Sequence, residues 1–139
     1  MLRYLSLAIA ALPPLCGPAA TAADITSGYS DGDTACVQNG VLNGIKGRFA
    51  WAEHNTWHRG FVIETLGNPR PSGHPFAEPG LVSRDYCEAD AVMTDGRAYS
   101  VYYAVEHGLG FAGIGRSVDF CVLGLDPWHV HDGSCRTVR

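Results

Sequence analysis

From Cys36 to about Glu53, apolar residues recur at three- and four-residue steps. Val37, Val41, Leu42, Ile45, Phe49 and Ala52 fall on one side of a predicted helix. Asp33 or Thr34 is placed to cap it. Gly40, Gly44 and Gly47 interrupt the stretch, and each costs about 1 kcal/mol against alanine in a helix. The helix therefore depends on docking, and its glycines are expected to allow close approach to a sheet. The pattern then turns from helical to β-like. Residues 59–66, RGFVIETL, are rich in β-formers and predict a strand. Residues 67–80, with four prolines among glycines, predict a loop.

Residues 83–94 and 97–107 predict two strands on either side of Asp95-Gly96, a strong hairpin signal. A two-residue turn pairs Thr94 with Arg97, Val92 with Tyr99 and Cys87 with Ala104. That register sets Cys87, Ala89, Ala91 and Met93 beside Ala98, Ser100, Tyr102 and Ala104 as a shallow floor for the helix. Val92, Tyr99, Val101, Tyr103 and Val105 take the other face. A last strand is predicted over 117–124, followed by an irregular tail, 125–139. One N-terminal helix packed on an antiparallel sheet of about four strands makes an α+β domain.

Ahead of the domain, Arg3 and the apolar run 4–15 precede small residues, with Ala20 and Ala22 in A-x-A positions. Residues 1–23 thus read as an export leader, leaving 24–139 as a single domain. The apolar run is about twelve residues, where a spanning helix needs about 20. No membrane span is expected after cleavage. Cys16 offers a lipid-attachment alternative, but PPLC lacks the usual small residues before the cysteine. The polar stretch 24–33 reads as a loose arm.

Export changes the meaning of the cysteines. Cys36, Cys87, Cys121 and Cys135 remain after cleavage, and an even number in an exported chain favours two disulfides. Three pairings are open. Cys36 in the first helical turn and Cys87 on the floor favour Cys36–Cys87 with Cys121–Cys135. The second closes a loop worth about 3 kcal/mol in the chain-entropy model. Oxidised, none of the four serves as a thiol nucleophile or a thiolate metal ligand.

Charge removes other classes. The chain carries a net −4, or −5 without Arg3, and Lys46 is its single lysine. Phosphate binding needs clustered Lys and Arg, so nucleic acid and anionic membranes are poor partners.

The segment 83–136 resembles a family of small secreted proteins of alphaproteobacteria. YCEA, VYYAVE, GFAGIG and DFCVLGLDPW are its most specific stretches, and the similarity runs from about Gln38 to the C-terminus. The resemblance implies an exported, cysteine-containing domain and carries no activity with it.

The candidate chemistry is sparse. Gly108, Gly110 and Gly113 spell G-x-G-x-x-G after a strand. A dinucleotide site needs a helix opening there, and RSVDFCVL reads as strand instead. No nucleotide or other cofactor is expected. His54 and His58 at spacing four, with His129 and His131 at spacing two, form the alternative reading: a small metal-binding protein, with Asp132 as a further ligand. No H-E-x-x-H motif is present, and no nucleophile elbow is expected. Glu88 and Asp90 share one strand face with Glu106 on the opposite one, and read as solvated carboxylates. A non-enzymatic binding module is the leading reading, with another envelope or secreted protein as partner in the periplasm or outside. His74 and Phe76 in the long loop, and Tyr99, Tyr103 and Trp128 as an aromatic patch, are its candidate contacts. In DPWHVHDGSC, each residue has an expected structural role. Asp126-Pro127 turns the chain, Trp128 folds onto the sheet, and His129 and His131 share one side of an extended segment.

Overall fold

The computed structural model describes residues 35–73, 82–108 and 115–139. The leader, the arm at 24–33, the capping residues Asp33 and Thr34, His74, Phe76 and most of GLGFAG lie outside them. In order come helix α1 (Asn39–Ala52), a π-helical turn (Glu53–Trp57) and strands β1 (Ile63–Pro71), β2 (Arg84–Met93), β3 (Ala98–His107) and β4 (Arg116–Val122). The strands form one antiparallel sheet in sequential order. The chain is thus an α+β fold with one helical segment against a four-stranded sheet.

The α1 face follows the predicted pattern from Val41 onward, whereas Val37 lies ahead of the helix and is exposed. Val41, Ile45 and Phe49 are its buried residues. Its glycines do not behave as expected. A Cβ built on Gly40, Gly44 or Gly47 meets nothing within 4 Å, so none of them marks a close approach to the sheet. Each Gly→Ala change should therefore raise stability by about 0.5–1 kcal/mol, through a less flexible unfolded chain. Urea denaturation of the three single variants checks this, and a loss at any site would show a contact at that glycine.

The hairpin departs from the predicted register by one residue. Val92 pairs with Ala98, Ala91 with Tyr99 and Cys87 with Tyr103. The turn holds three residues, because the Met93 N–H donates to the Arg97 carbonyl and the Gly96 N–H to the Met93 carbonyl. Gly96 sits at φ 79°, the left-handed position of such a loop. A one-residue slip exchanges the faces of the partner strand. The helix-facing floor is therefore Cys87, Ala89, Ala91 and Met93 with Val101, Tyr103 and Val105, all buried. The predicted floor residues Tyr102 and Ala104 instead face away from the helix. Glu88, Asp90 and Glu106 then share that outer face, which corrects the expectation that Glu106 stands apart.

β1 starts later and runs further than predicted. It covers Gly67 to Pro71, where the composition predicts loop. Pro69 and Pro71 are tolerated because β1 is an edge strand and its register shifts between Gly67 and Arg70. On the outer face Arg70 pairs with Glu88 at 2.6 Å and Arg84 with Glu106 at 2.6 Å, while the Asn68 amide donates to Asp90 at 2.9 Å. The carboxylates considered above are thus salt-bridged or hydrogen-bonded surface groups.

Both expected disulfides are present, Cys36–Cys87 and Cys121–Cys135. The first ties the chain ahead of α1 to the floor. The second draws the tail across the outer face, where Cys135 and Val138 pack with Tyr102, Ala104 and Cys121. The sheet is covered by α1 on one side and partly by the tail on the other. Disulfides form and persist in oxidising compartments, and these two indicate such an environment. Among the described residues no helix is long and apolar enough to cross a membrane.

Tyr103 shows how closed the core is. It is fully buried, and its hydroxyl donates to the Cys36 carbonyl at 2.7 Å. Burial pushes its phenol up from 10.0 to about 12. The folded state therefore binds this proton more tightly than the unfolded chain does. That stabilisation is complete below pH 10 and is lost as pH rises towards about 12. Denaturation midpoints should fall across this window, and the fall should be smaller in Tyr103→Phe. An identical alkaline profile in the variant would assign the fall to other groups.

Candidate functional site

Where α1 ends, the backbone widens into the π-turn, and the His58 N–H donates to the Glu53 carbonyl at 2.7 Å. His58 itself adopts a left-handed conformation at φ 54°. This turn buries Glu53, which is 4% exposed. Arg59 answers it: Nη2 lies 2.5 Å and Nε 3.1 Å from Glu53 Oε1, and the Arg59 backbone N–H donates to Oε2 at 3.1 Å. The same Nη2 donates to the Leu125 carbonyl at 3.1 Å. One guanidinium thus fastens the helix end to the segment leaving β4.

Arg59 also organises rings. It lies 4.6 Å from the centre of the Trp57 ring and 5.3 Å from that of Phe61. Trp57 meets Trp128 edge to face at 6.1 Å, and Phe61 meets Tyr99 at 6.5 Å. Trp128 and Tyr99 therefore belong to one chain of rings bridged by Arg59. Tyr103 does not join them, being enclosed in the core. Sequence reasoning missed Phe61, Arg59 and the part played by Trp57. The signal was available in WHRGF, which alternates aromatic and cationic residues.

Beside Trp57 opens a mainly apolar cavity of about 120 Å3. Phe49 and Trp57 line it from the helical side. Phe120, Cys121 and Val122 line it from β4, and Leu125, Asp126, Val130 and His131 from the tail. Trp128 and Val130 are each 66% exposed. This corrects the expectation that Trp128 folds down onto the sheet. Its ring leans on Trp57 and leaves most of its surface in water. The Trp57 Nε1 atom is buried and has no hydrogen-bond partner among the described residues.

DPWHVHDGSC is a run of turns, not the extended segment expected. His129 and Asp132 take left-handed φ values of 50° and 61°. Asp126 holds the loop: Oδ1 accepts from the Trp128 N–H at 3.2 Å and Oδ2 from the His131 N–H at 3.1 Å. His131 turns inward and is 9% exposed, while His129 is exposed. The His131 ring lies between Thr137 and β4, with Nδ1 2.6 Å from Thr137 Oγ1 and Nε2 3.3 Å from Asp119 Oδ1. Nε2 ties the tail to the sheet, and Nδ1 ties the loop to the C-terminal end of the tail. His54 and His58 are exposed at the helix end. Among the described residues, no group of three or more His, Cys, Asp or Glu side chains is placed to hold a metal ion.

A second hollow, of about 240 Å3, lies on the outer face between Arg84, Tyr86, Glu106, Asp119 and Thr137. Its cation is engaged, because Glu106 holds Arg84 and raises its pKa. The first cavity differs in having an apolar lining and exposed apolar residues beside it. That combination characterises sites where a partner's apolar group is taken up. No family model matches the chain, and no curated protein or solved structure matches it.

Proposed function

We propose that this protein is an exported, non-enzymatic binding module of the periplasm or the extracellular space, and that its site is the cavity beside Trp57. The observation that carries this reading is an apolar hollow flanked by two apolar side chains, Trp128 and Val130, left in water. A folded chain gains by covering such surface, and a partner's apolar group would do so. The size sets a bound. An apolar cavity of about 150 Å3 takes benzene, so about 120 Å3 suits one compact apolar group rather than a long chain. That group belongs to an envelope component or another exported protein. The export leader expected at residues 1–23 and the resemblance to small secreted alphaproteobacterial proteins support the location, and the disulfides agree with it.

The test is capture from envelope extract by wild type, Trp128→Ala and Val130→Asp. Both replaced side chains are exposed, so stability should change by no more than about 0.5 kcal/mol. A partner retained by wild type and lost by both variants supports the site. Equal recovery by all three overturns it. The same extract passed over His54→Ala/His58→Ala separates this reading from one that uses the histidines.

A further inference from the structure

We propose that the group taken up in this cavity is a small methylated ammonium cation, an inference that rests on the binding-module reading above. Three aromatic rings, Phe49, Trp57 and Phe120, line the hollow, and a carboxylate, Asp126, stands in its wall. Aromatic faces with an acidic neighbour are the chemistry that recognises quaternary ammonium groups. The ring quadrupoles attract the charge while the methyl groups fill apolar space. A purely apolar guest would leave Asp126 beside it without a counterion.

The charges around the site favour a cation. Asp126 accepts two backbone N–H bonds and makes no ion pair among the described residues. Arg59, the nearby cation, is already balanced by buried Glu53 at 2.5 Å. Its position over the Trp57 ring at 4.6 Å shows that this indole already works as a cation acceptor within the fold. The chain as a whole carries a net −4, which raises the local concentration of small cations. The exposed Trp128 ring, edge to face with Trp57, offers a further aromatic surface beside the cavity.

Titration of the exported, oxidised protein with choline, tetramethylammonium and the neutral carbon isostere of choline tests this, read by tryptophan fluorescence and calorimetry. Both cations should saturate, and choline should bind about tenfold more tightly than its uncharged isostere. Asp126→Asn should weaken the cations severalfold and leave the isostere unchanged. Phe120→Leu should weaken all three ligands, and it covers the case in which loss of Asp126 disturbs the loop. Equal affinity for the isostere would overturn the cation and leave the apolar site standing. No saturable binding of any ligand would overturn both readings. Sedimentation with phosphatidylcholine vesicles, competed by free choline, assigns the group to a lipid headgroup. Binding of free choline without vesicle binding assigns it to a dissolved solute.

Discussion

Replacing Cys36 and Cys87 together by alanine is expected to lower stability by about 4 kcal/mol. The bond joins residues 51 apart, and the chain-entropy model gives that figure for a loop of this length. Both sulfurs are fully buried, so alanine leaves no unpaired polar group behind. Small domains hold only about 5–15 kcal/mol in all, and the loss would take a large share of it. Its structural consequence follows from place. The bond anchors the segment before α1 to the β2 floor, beside the Tyr103 hydroxyl that binds the Cys36 carbonyl. Without it, the helix is held by its apolar face and by the Lys46 and Arg48 side chains, which donate to the Glu64 and Val118 carbonyls. Urea denaturation of this variant and of Cys121→Ala/Cys135→Ala gives the comparison. The second bond closes a loop of separation 14 and should cost about 3 kcal/mol. A reversed order would show that loop length is not what sets the two contributions.

Both bonds are legible in the sequence, although the observed register differs from the predicted one by one residue. Cys87 does lie on the floor, and so it would in either register, since its position depends on its own strand. What the slip exchanged was the partner strand. The Asp95-Gly96 signal correctly located the hairpin, but it fits a two-residue and a three-residue loop alike, and that one residue decides whether Tyr103 faces the helix or the outer side of the sheet. Tyr103 was accordingly read as a surface contact and is a core residue. β1 failed for another reason. Proline counts argue against strand only where a ladder hydrogen bond is needed, and an edge strand with shifted register relaxes that demand at Pro69 and Pro71.

The site was legible in its parts and not in its assembly. Trp128 stands out in the sequence, yet its ring partner Trp57 lies at a helix end, and the cavity beside Trp57 joins Phe120 on β4 to Phe49 on α1. Periodicity reports which face of an element is apolar, and it says nothing about which ends meet. The π-turn that presents Trp57 has no sequence signature here, since EHNTW is polar at every position but the last. The histidines show a further limit of spacing. Spacing offers His54, His58, His129 and His131 as one set, whereas three of them are exposed and His131 alone turns inside, onto Thr137 and Asp119.

Arg59→Met is expected to cost about 3 kcal/mol, although residue 59 lies outside every regular element. The reason is Glu53. Its carboxylate is 4% exposed, and it is held by the guanidinium and the backbone N–H of Arg59. Removing one member of a buried pair leaves the other charged and desolvated, which costs about 3–5 kcal/mol. The lower end applies, because the Arg59 side chain keeps 27% of its surface in water. The variant also loses the bond to the Leu125 carbonyl and the cation over Trp57 and Phe61. The helix end and the tail then lose a direct link across the cavity. Neutralising the orphan should recover much of the loss. Glu53→Gln/Arg59→Met is expected to be more stable than Arg59→Met alone by about 1–2 kcal/mol. Urea denaturation of both singles and the double completes the cycle. Additive losses would show that Glu53 and Arg59 act independently, and a loss below about 1 kcal/mol for Arg59→Met would place Glu53 in surroundings as wet as an ordinary surface pair.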